Sequence, residues 1–101
     1  MKLPKHIFIL GYKYKVLRKL PTDHKFAADP PEGLFCEDEE FIFVSDKIKE
    51  NKVFVTFLHE CFHGIWYHSG HTLNFKHKEE DTINESASFG IVKILEQMGI
   101  L

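Results

Sequence analysis

The sequence predicts an α+β domain in which a small antiparallel or mixed β-sheet packs against two helices. Short apolar or alternating segments, separated by turn residues, occupy the first half of the chain. Two longer segments with helical apolar spacing follow them, and the second runs nearly to the chain end. With 101 residues and 44% hydrophobic content, the chain can bury one modest core, so we predict a single domain over residues 1–101.

Composition disfavours several classes of protein. The net charge of -2 and the mixing of basic with acidic residues give no electrostatic surface for nucleic acid, so no nucleic-acid partner is expected. Residues 7–10 are the one apolar run near the start, and this run is too short for a signal peptide or a membrane span. We therefore predict a cytoplasmic protein with no membrane association. The oligomeric state is not predicted.

Four β segments are expected before the helices. An apolar segment and an alternating segment flank Gly11, which is placed in a tight turn or a bulge. A proline-rich loop over residues 21–33 follows, then a short strand, an acidic turn over residues 37–40 and an apolar strand. The predicted strands cover residues 6–10, 12–17, 34–36 and 41–44.

The first helix is predicted from residue 51 or 52 to residue 67. Ser45 or Asp46 can cap a helical turn before it, and Ser69 with Gly70 ends it. Its apolar residues recur at the spacing of one helix face, which predicts a stripe that packs on the core. The members of that stripe are Phe54, Phe57, Leu58, Cys61, Phe62 and Ile65.

This helix carries the motif His59-Glu60-x-x-His63. Residues four apart lie on one helix face, so both imidazoles can reach one metal ion, and Glu60 stands beside that ion without binding it. Two neutral nitrogens suit Zn²⁺, which lowers the pKa of a bound water to about 7, while the neighbouring carboxylate takes the proton. Seven histidines raise the chance of an accidental match. The amphipathic helix, with both histidines flanking its stripe, favours the metal site.

The second helix is predicted over residues 79–98, with Gly99 closing it. Glu85 lies at the edge of its apolar stripe, where an inward carboxylate would complete a zinc site with two histidines, and Asp81 one turn earlier is the alternative third ligand. Glu79, Glu80 and Asp81 also suit the positive end of the helix dipole. The predicted core stripe comprises Ala87, Ile91, Val92, Leu95 and Met98.

Other polar residues near the motif are weaker candidates. A loop histidine could serve as third ligand or could stabilise a transition-state oxyanion, for which Tyr67 is a further candidate. The metzincin spacing would require histidine where Ser69 stands. Cys61 is predicted to be a core thiol and Cys36 a strand residue. The loop histidines are His68, His71 and His77.

Two segments of the chain resemble a known family. Thr56-Phe57-Leu58-His59-Glu60-Cys61-Phe62-His63-Gly64-Ile65 is similar to the T-L-x-H-E-x-x-H-A-I segment of small phage and prophage zinc-peptidase-like proteins related to the ImmA/IrrE-type metallopeptidases. Glu85-Ser86-Ala87-Ser88-Phe89-Gly90 is similar to that group's E-x-x-x-F-A segment. Gly64 and Gly90 depart from the pattern, in which alanine is more usual.

The resemblance implies a minimal zincin-like, gluzincin-type fold in which His59, His63 and Glu85 bind Zn²⁺ and Glu60 is the general base. The expected function is a zinc-dependent metallopeptidase that hydrolyses peptide bonds of a protein or peptide substrate, with residues 41–44 as the cleft edge that pairs with the substrate. The larger ImmA/IrrE proteins carry additional domains, so their repressor-cleaving role is not carried over.

Two alternatives remain open at the level of sequence. One is a zinc-stabilised, non-catalytic binding or regulatory module of phage or prophage origin, in which the same ligands would serve stability. The other is a metal-free structural domain with a fortuitous motif. Glu60 is not needed to bind zinc, so its presence favours the enzyme over the zinc-stabilised module, while metal analysis would identify a metal-free domain.

Overall fold

The computed structural model describes residues 2–70 and 77–101, except for the side chain of His77. Within these ranges the chain forms four strands followed by two helices, which confirms the predicted α+β class. No helix among these residues is long and apolar enough to cross a membrane. The elements are β1 (His6–Ile9), β2 (Tyr12–Leu17), β3 (Gly33–Cys36), β4 (Phe41–Val44), α1 (Glu50–Ser69) and α2 (His77–Gln97).

The strands form one mixed sheet in the order β1-β2-β4-β3. β1 pairs antiparallel with β2, β2 pairs parallel with β4, and β3 pairs antiparallel with β4. Leu10 and Gly11 link β1 to β2 with φ angles of 50° and 86°. Two successive positive φ angles are typical of the type I′ turn, whose twist matches that of a hairpin, so Gly11 lies in a turn and not in a bulge.

The four residues of β4 are all buried, which explains the uninterrupted apolar run. Ile42 and Val44 belong to the core cluster shared with α1. On the opposite face the ring of Phe41 packs 5.8 Å from the ring of His24, which lies in the long loop before β3. This loop therefore covers part of the sheet face that α1 leaves free.

The expectation that residues 41–44 form the edge of a substrate cleft is wrong. β4 pairs with β2 on one side and with β3 on the other, so its backbone has no free edge to offer. Among the described strands, β3 pairs with β4 alone and occupies one edge of the sheet, and β1 occupies the other. An acidic four-residue connection precedes β4 and reverses the chain, which places β3 outside β4.

α1 packs one face against the sheet. Gly70 ends this helix with a φ of 83° and donates its backbone N–H to the carbonyl of Tyr67, as predicted for a glycine stop. The buried stripe is Val53, Phe57, Cys61 and Gly64, so it is rotated slightly from the predicted one, and Leu58 and Phe62 are only half-buried. A larger residue at position 64 would crowd the sheet, because a Cβ on Gly64 would lie 2.8 Å from Cδ1 of Ile9.

The core stripe predicted for α2 is only partly buried: Ala87, Val92 and Leu95 are half-buried, but Ile91 and Met98 are exposed. Met98 is 66% exposed and Ile91 is 36% exposed. The residues that α2 buries are polar, namely Glu80, Asn84 and Ser88, which recur one turn apart. Among the described elements α2 packs chiefly on α1, and the facing side of α1 is itself polar: the indole Nε1 of Trp66 donates to Oδ1 of Asn84 at 2.6 Å. Polar partners on α1 have therefore decided which face of α2 turns inward.

Two glycines inside helices provide a matched test of this packing. A Cβ at Gly90 meets nothing within 4 Å, whereas a Cβ at Gly64 would also come within 3.0 Å of Cε1 of Phe35. Gly90→Ala should therefore stabilise the protein by about 0.5–1 kcal/mol through helix propensity. Gly64→Ala should lose that gain to overpacking, which costs about 1–3 kcal/mol. Thermal unfolding of both variants measures the difference, and equal rises in Tm would contradict the packing at Gly64.

Candidate metal centre

The two motif histidines face each other on α1. His59 and His63 lie one turn apart, and their Nε2 atoms are 3.2 Å from each other. His63 is buried, at 8% exposure, while His59 is half-buried nearer the rim. The helix spacing thus brings the two imidazoles together as predicted, at the border between the core and solvent.

Asp81 of α2 closes a triangle with this pair. Its Oδ1 lies 2.8 Å from Nε2 of His63 and 3.2 Å from Nε2 of His59. In a tetrahedral zinc site with metal–nitrogen distances of 2.0–2.1 Å, neighbouring ligand atoms stand about 3.3 Å apart. Three atoms that each carry a lone pair meet here, and only a proton or a cation between them makes the arrangement favourable. The residues present therefore fit a zinc ion.

Glu85, the predicted third ligand, is exposed and lines the same cleft, but its oxygens are not in the group of ligand atoms that lie within 4.8 Å of one another. That group contains His59, His63 and Asp81. Asp81 and Glu85 share one face of α2, and Glu85 is about 6 Å further along the helix axis. The structure thus brings the alternative ligand, Asp81, to the histidines. The shared helix face explains why the sequence left both carboxylates open.

Glu80 is the site residue that the sequence analysis did not identify. It is 4% exposed, and its Oε1 lies 2.5 Å from Nδ1 of His63, on the side of the ring away from the other ligand atoms. The sequence explained Glu80 by the helix dipole alone. Glu80 lies one turn before Asn84 on the face of α2 that meets α1, and the sequence alone does not show which face this is.

Glu60 is buried beneath β3 at 8% exposure. Burial raises the pKa of its carboxyl to about 7, and the charge of Asp81 adds to this rise. Two contacts act in the opposite direction and lower the pKa: the charge of nearby His63, and a hydrogen bond that the backbone N–H of Phe35 donates. The strand can approach this closely because residue 33 is glycine. A Cβ on Gly33 would stand 2.8 Å from Oε2 of Glu60 and 2.7 Å from Cγ2 of Thr56.

These groups line a cleft of about 930 Å³, a size in the ordinary range for ligand sites. One wall is β3 and the residues beside it, and the other is the first half of α2. Tyr67 also lines the cleft, so it remains a candidate for stabilising the oxyanion. The acidic side chains in the lining are Glu32, Glu37, Glu60, Glu80, Asp81 and Glu85.

Of the three histidines that the sequence assigned to the loop after the motif helix, His68 alone has a described side chain, and it lies in the last turn of α1. Nε2 of His68 lies 2.5 Å from the hydroxyl oxygen of Tyr14, and its ring stacks on Tyr12 at 3.9 Å, so His68 packs against the sheet. Burial raises the pKa of the Tyr14 phenol. His71 lies outside the described residues. His77 is the first residue of α2, and its side chain is likewise outside what the structure describes.

The cysteines stand apart from the histidine pair. Cys61 belongs to the core cluster, and burial raises the pKa of its thiol to about 12, which confirms the predicted core thiol. Cys36 forms a second group of possible ligands with His24 and Glu39. However, Nδ1 of His24 accepts a hydrogen bond from the backbone N–H of Phe26 at 3.1 Å, so a neutral ring carries its proton on Nε2 and has no second lone pair to offer.

Comparison of the chain with protein-family models, curated proteins and solved structures finds no match. The resemblance to small phage zinc-peptidase-like proteins thus stays a prediction carried by residues 56–65 and 85–90.

Buried Glu60 predicts a pH dependence of stability in the metal-free protein. Because its pKa is raised from 4.5 to about 7 on folding, the folded chain holds one more proton than the unfolded chain between these values. The free energy of unfolding should therefore fall by roughly 3 kcal/mol as the pH rises through this window. The glutamine side chain of the Glu60→Gln variant cannot ionise. This variant should therefore become more stable relative to the unmodified protein as the pH rises through the same window.

Urea unfolding with a chelator present, at about pH 5 and about pH 8, measures this difference. Glu79→Gln is the control, because Glu79 is exposed on the first turn of α2. A stability difference between Glu60→Gln and the unmodified protein that is the same at both pH values would contradict the raised pKa.

Proposed function

We propose that this protein is a zinc-dependent metallopeptidase that hydrolyses peptide bonds in a protein or peptide substrate. One observation carries the proposal. Nε2 of His59, Nε2 of His63 and Oδ1 of Asp81 stand 2.8 to 3.2 Å from one another at the floor of a cleft. Glu60, the residue that a hydrolase would add to such a ligand set, lines the same cleft.

His59, His63 and Asp81 would hold the zinc, and Glu85 lies in the same cleft one turn along α2. Zinc bound there supplies a water of lowered pKa and polarises a peptide carbonyl. Three protein ligands leave a fourth position for water or substrate, as a catalytic site requires. The half-buried position of His59 keeps one side of the ligand group towards the cleft.

Glu60 would be the general base and then the general acid. A carboxyl whose pKa is about 7 can accept a proton from water near neutral pH and can also give it up. The proton leaves the attacking water for Glu60 and passes to the amine nitrogen as the carbon–nitrogen bond breaks. The hydrogen bond from the N–H of Phe35 orients this carboxylate between β3 and the ligand group.

The edge strand β3 offers a place for the substrate backbone. Because Glu60 accepts from the N–H of Phe35, that N–H points away from β4, and by the alternation of an antiparallel pair the polar groups of Gly33 point the same way. An extended peptide could pair with the backbone groups of Gly33 at this edge and would then run past Glu60, which holds the N–H of Phe35. The residues of β3 that line the cleft are Gly33, Leu34 and Phe35.

A second candidate function is a zinc-stabilised module without catalysis. The observation that favours it is that the ligands join α1 to α2, and that α2 packs chiefly on α1 among the described elements. A metal that bridges the two helices would turn binding energy into folding energy. This candidate makes no use of Glu60, so substitution of Glu60 distinguishes the two functions.

The ligand set predicts which carboxylate controls zinc affinity. Asp81→Asn should weaken zinc binding by on the order of 100-fold, because it removes an anionic ligand, while Glu85→Gln should change it by about threefold or less. Competition with a zinc-chelating dye measures both affinities. If Glu85→Gln lost more zinc affinity than Asp81→Asn, Glu85 would be the third ligand, as the family resemblance implies.

The general base predicts a variant that separates binding from turnover. Glu60→Gln should retain one zinc per chain and lose at least about 100-fold in kcat, because the amide cannot take the proton. Metal content and cleavage of an unfolded protein substrate are measured on the same preparation, with Glu79→Gln as the control. Zinc binding with no cleavage by the unmodified protein would favour the non-catalytic module, and full cleavage by Glu60→Gln would remove Glu60 from the mechanism.

A further inference from the structure

Glu80 is the most deeply buried acid on α2 among the described residues. Its carboxylate faces α1 from the helix turn that also carries Asp81, and its Oε1 is 2.5 Å from Nδ1 of His63. Asp81 approaches the opposite nitrogen of the same ring, with Oδ1 2.8 Å from Nε2. One imidazole of α1 is therefore held between two adjacent acids of α2.

The chemistry of the two groups decides what each nitrogen does. A carboxylate can only accept a hydrogen bond, so Nδ1 of His63 must carry the hydrogen. When a cation takes the place of the proton between Nε2 and Asp81, the imidazole is neutral, with its hydrogen on Nδ1 and its lone pair on Nε2. That nitrogen faces His59 and Asp81, so the bond to Glu80 aims the lone pair of His63 at the centre of the ligand group.

We propose that Glu80 is a positioning residue for the metal centre: it selects the tautomer and the ring orientation of His63 that a zinc ion requires. The inference rests on the proposed function only in taking zinc as the ion of this site, and it does not need peptide hydrolysis. A carboxylate that accepts a hydrogen bond from the nitrogen of a histidine that does not bind the metal fixes the orientation of the ring and makes the other nitrogen a stronger metal ligand. Loss of such a partner weakens metal binding by about 10–100-fold.

A purely structural role is the alternative. A buried carboxylate bonded to a histidine also ties α1 to α2, and its loss would lower stability whether or not metal is present. Two substitutions separate the roles. Glu80→Gln keeps an oxygen that can accept from Nδ1 without the charge, and Glu80→Leu fills a similar volume without an acceptor. Glu79→Gln removes an exposed carboxylate from the same turn and is the matched control.

The experiment measures zinc affinity by competition with a chelating dye, the visible spectrum of the Co²⁺-substituted protein, and the stability of each metal-free variant. We expect Glu80→Leu to bind zinc about 10–100-fold more weakly and to alter the Co²⁺ spectrum. Glu80→Gln should recover most of that loss, and Glu79→Gln should match the unmodified protein in all three measurements.

Each other outcome overturns the proposal. If Glu80→Leu unfolds more readily without metal but binds zinc as tightly as the control, Glu80 is structural. If Glu80→Gln is as weak as Glu80→Leu, charge and not the hydrogen bond is responsible. If the unmodified protein binds no zinc, the proposal fails together with the metal site. If zinc binding depends on Glu80 but the protein cleaves no peptide, the proposed peptidase function fails and the role of Glu80 stands.

Discussion

The contact between the acidic first turns of α2 and the histidine pair of α1 determines how the two helices meet. Glu80 and Asp81 reach the two nitrogens of His63 from opposite sides, and Asp81 also reaches His59. Buried polar groups are costly unless they are paired, so the face of α2 that supplies these partners must turn inward. Several apolar residues of the same helix are left exposed, with Phe89 and Ile94 more than half accessible.

This helix interface is not built for stability alone. Within the described part of the chain, Nδ2 of Asn84 and Oγ of Ser88 are buried without a hydrogen-bond partner. Such groups cost about 1–3 kcal/mol each. An interface that tolerates these costs while it brings together three atoms that could ligate a metal is consistent with selection for the site. A cation bound between the helices would offset part of the cost, because the energy of binding also joins α1 to α2.

Much of this architecture follows from local sequence. The strand segments, the turn at Gly11, the glycine end of α1 and the His59–His63 pair are all set by interactions between near neighbours, which spacing and residue type reveal. The orientation of α2 is different in kind. Its apolar spacing predicted a core containing Ile91 and Met98, but polar partners on another helix outweighed that pattern. A preference that depends on a second element is not visible in the spacing of the first.

The identity of the third ligand also depends on a second element and is therefore not visible in the sequence spacing of α2. Asp81 and Glu85 share a helix face, and the choice between them depends on where α2 crosses α1. The role of Glu80 was hidden for a similar reason, since the helix dipole already explained an acid at that position. The edge of the sheet was misassigned to residues 41–44 because strand order in a mixed sheet is decided by long-range pairing. The burial of Glu60 likewise depends on Gly33, which is distant in sequence.

The most direct test of the metal centre is a crystal structure of the protein grown with zinc, with the ion located by anomalous scattering at the zinc absorption edge. The account predicts one ion at about 2.0–2.2 Å from Nε2 of His59, Nε2 of His63 and a carboxylate oxygen of Asp81, with a fourth position open to the cleft. An ion bound elsewhere, or none in the presence of excess zinc, would contradict it.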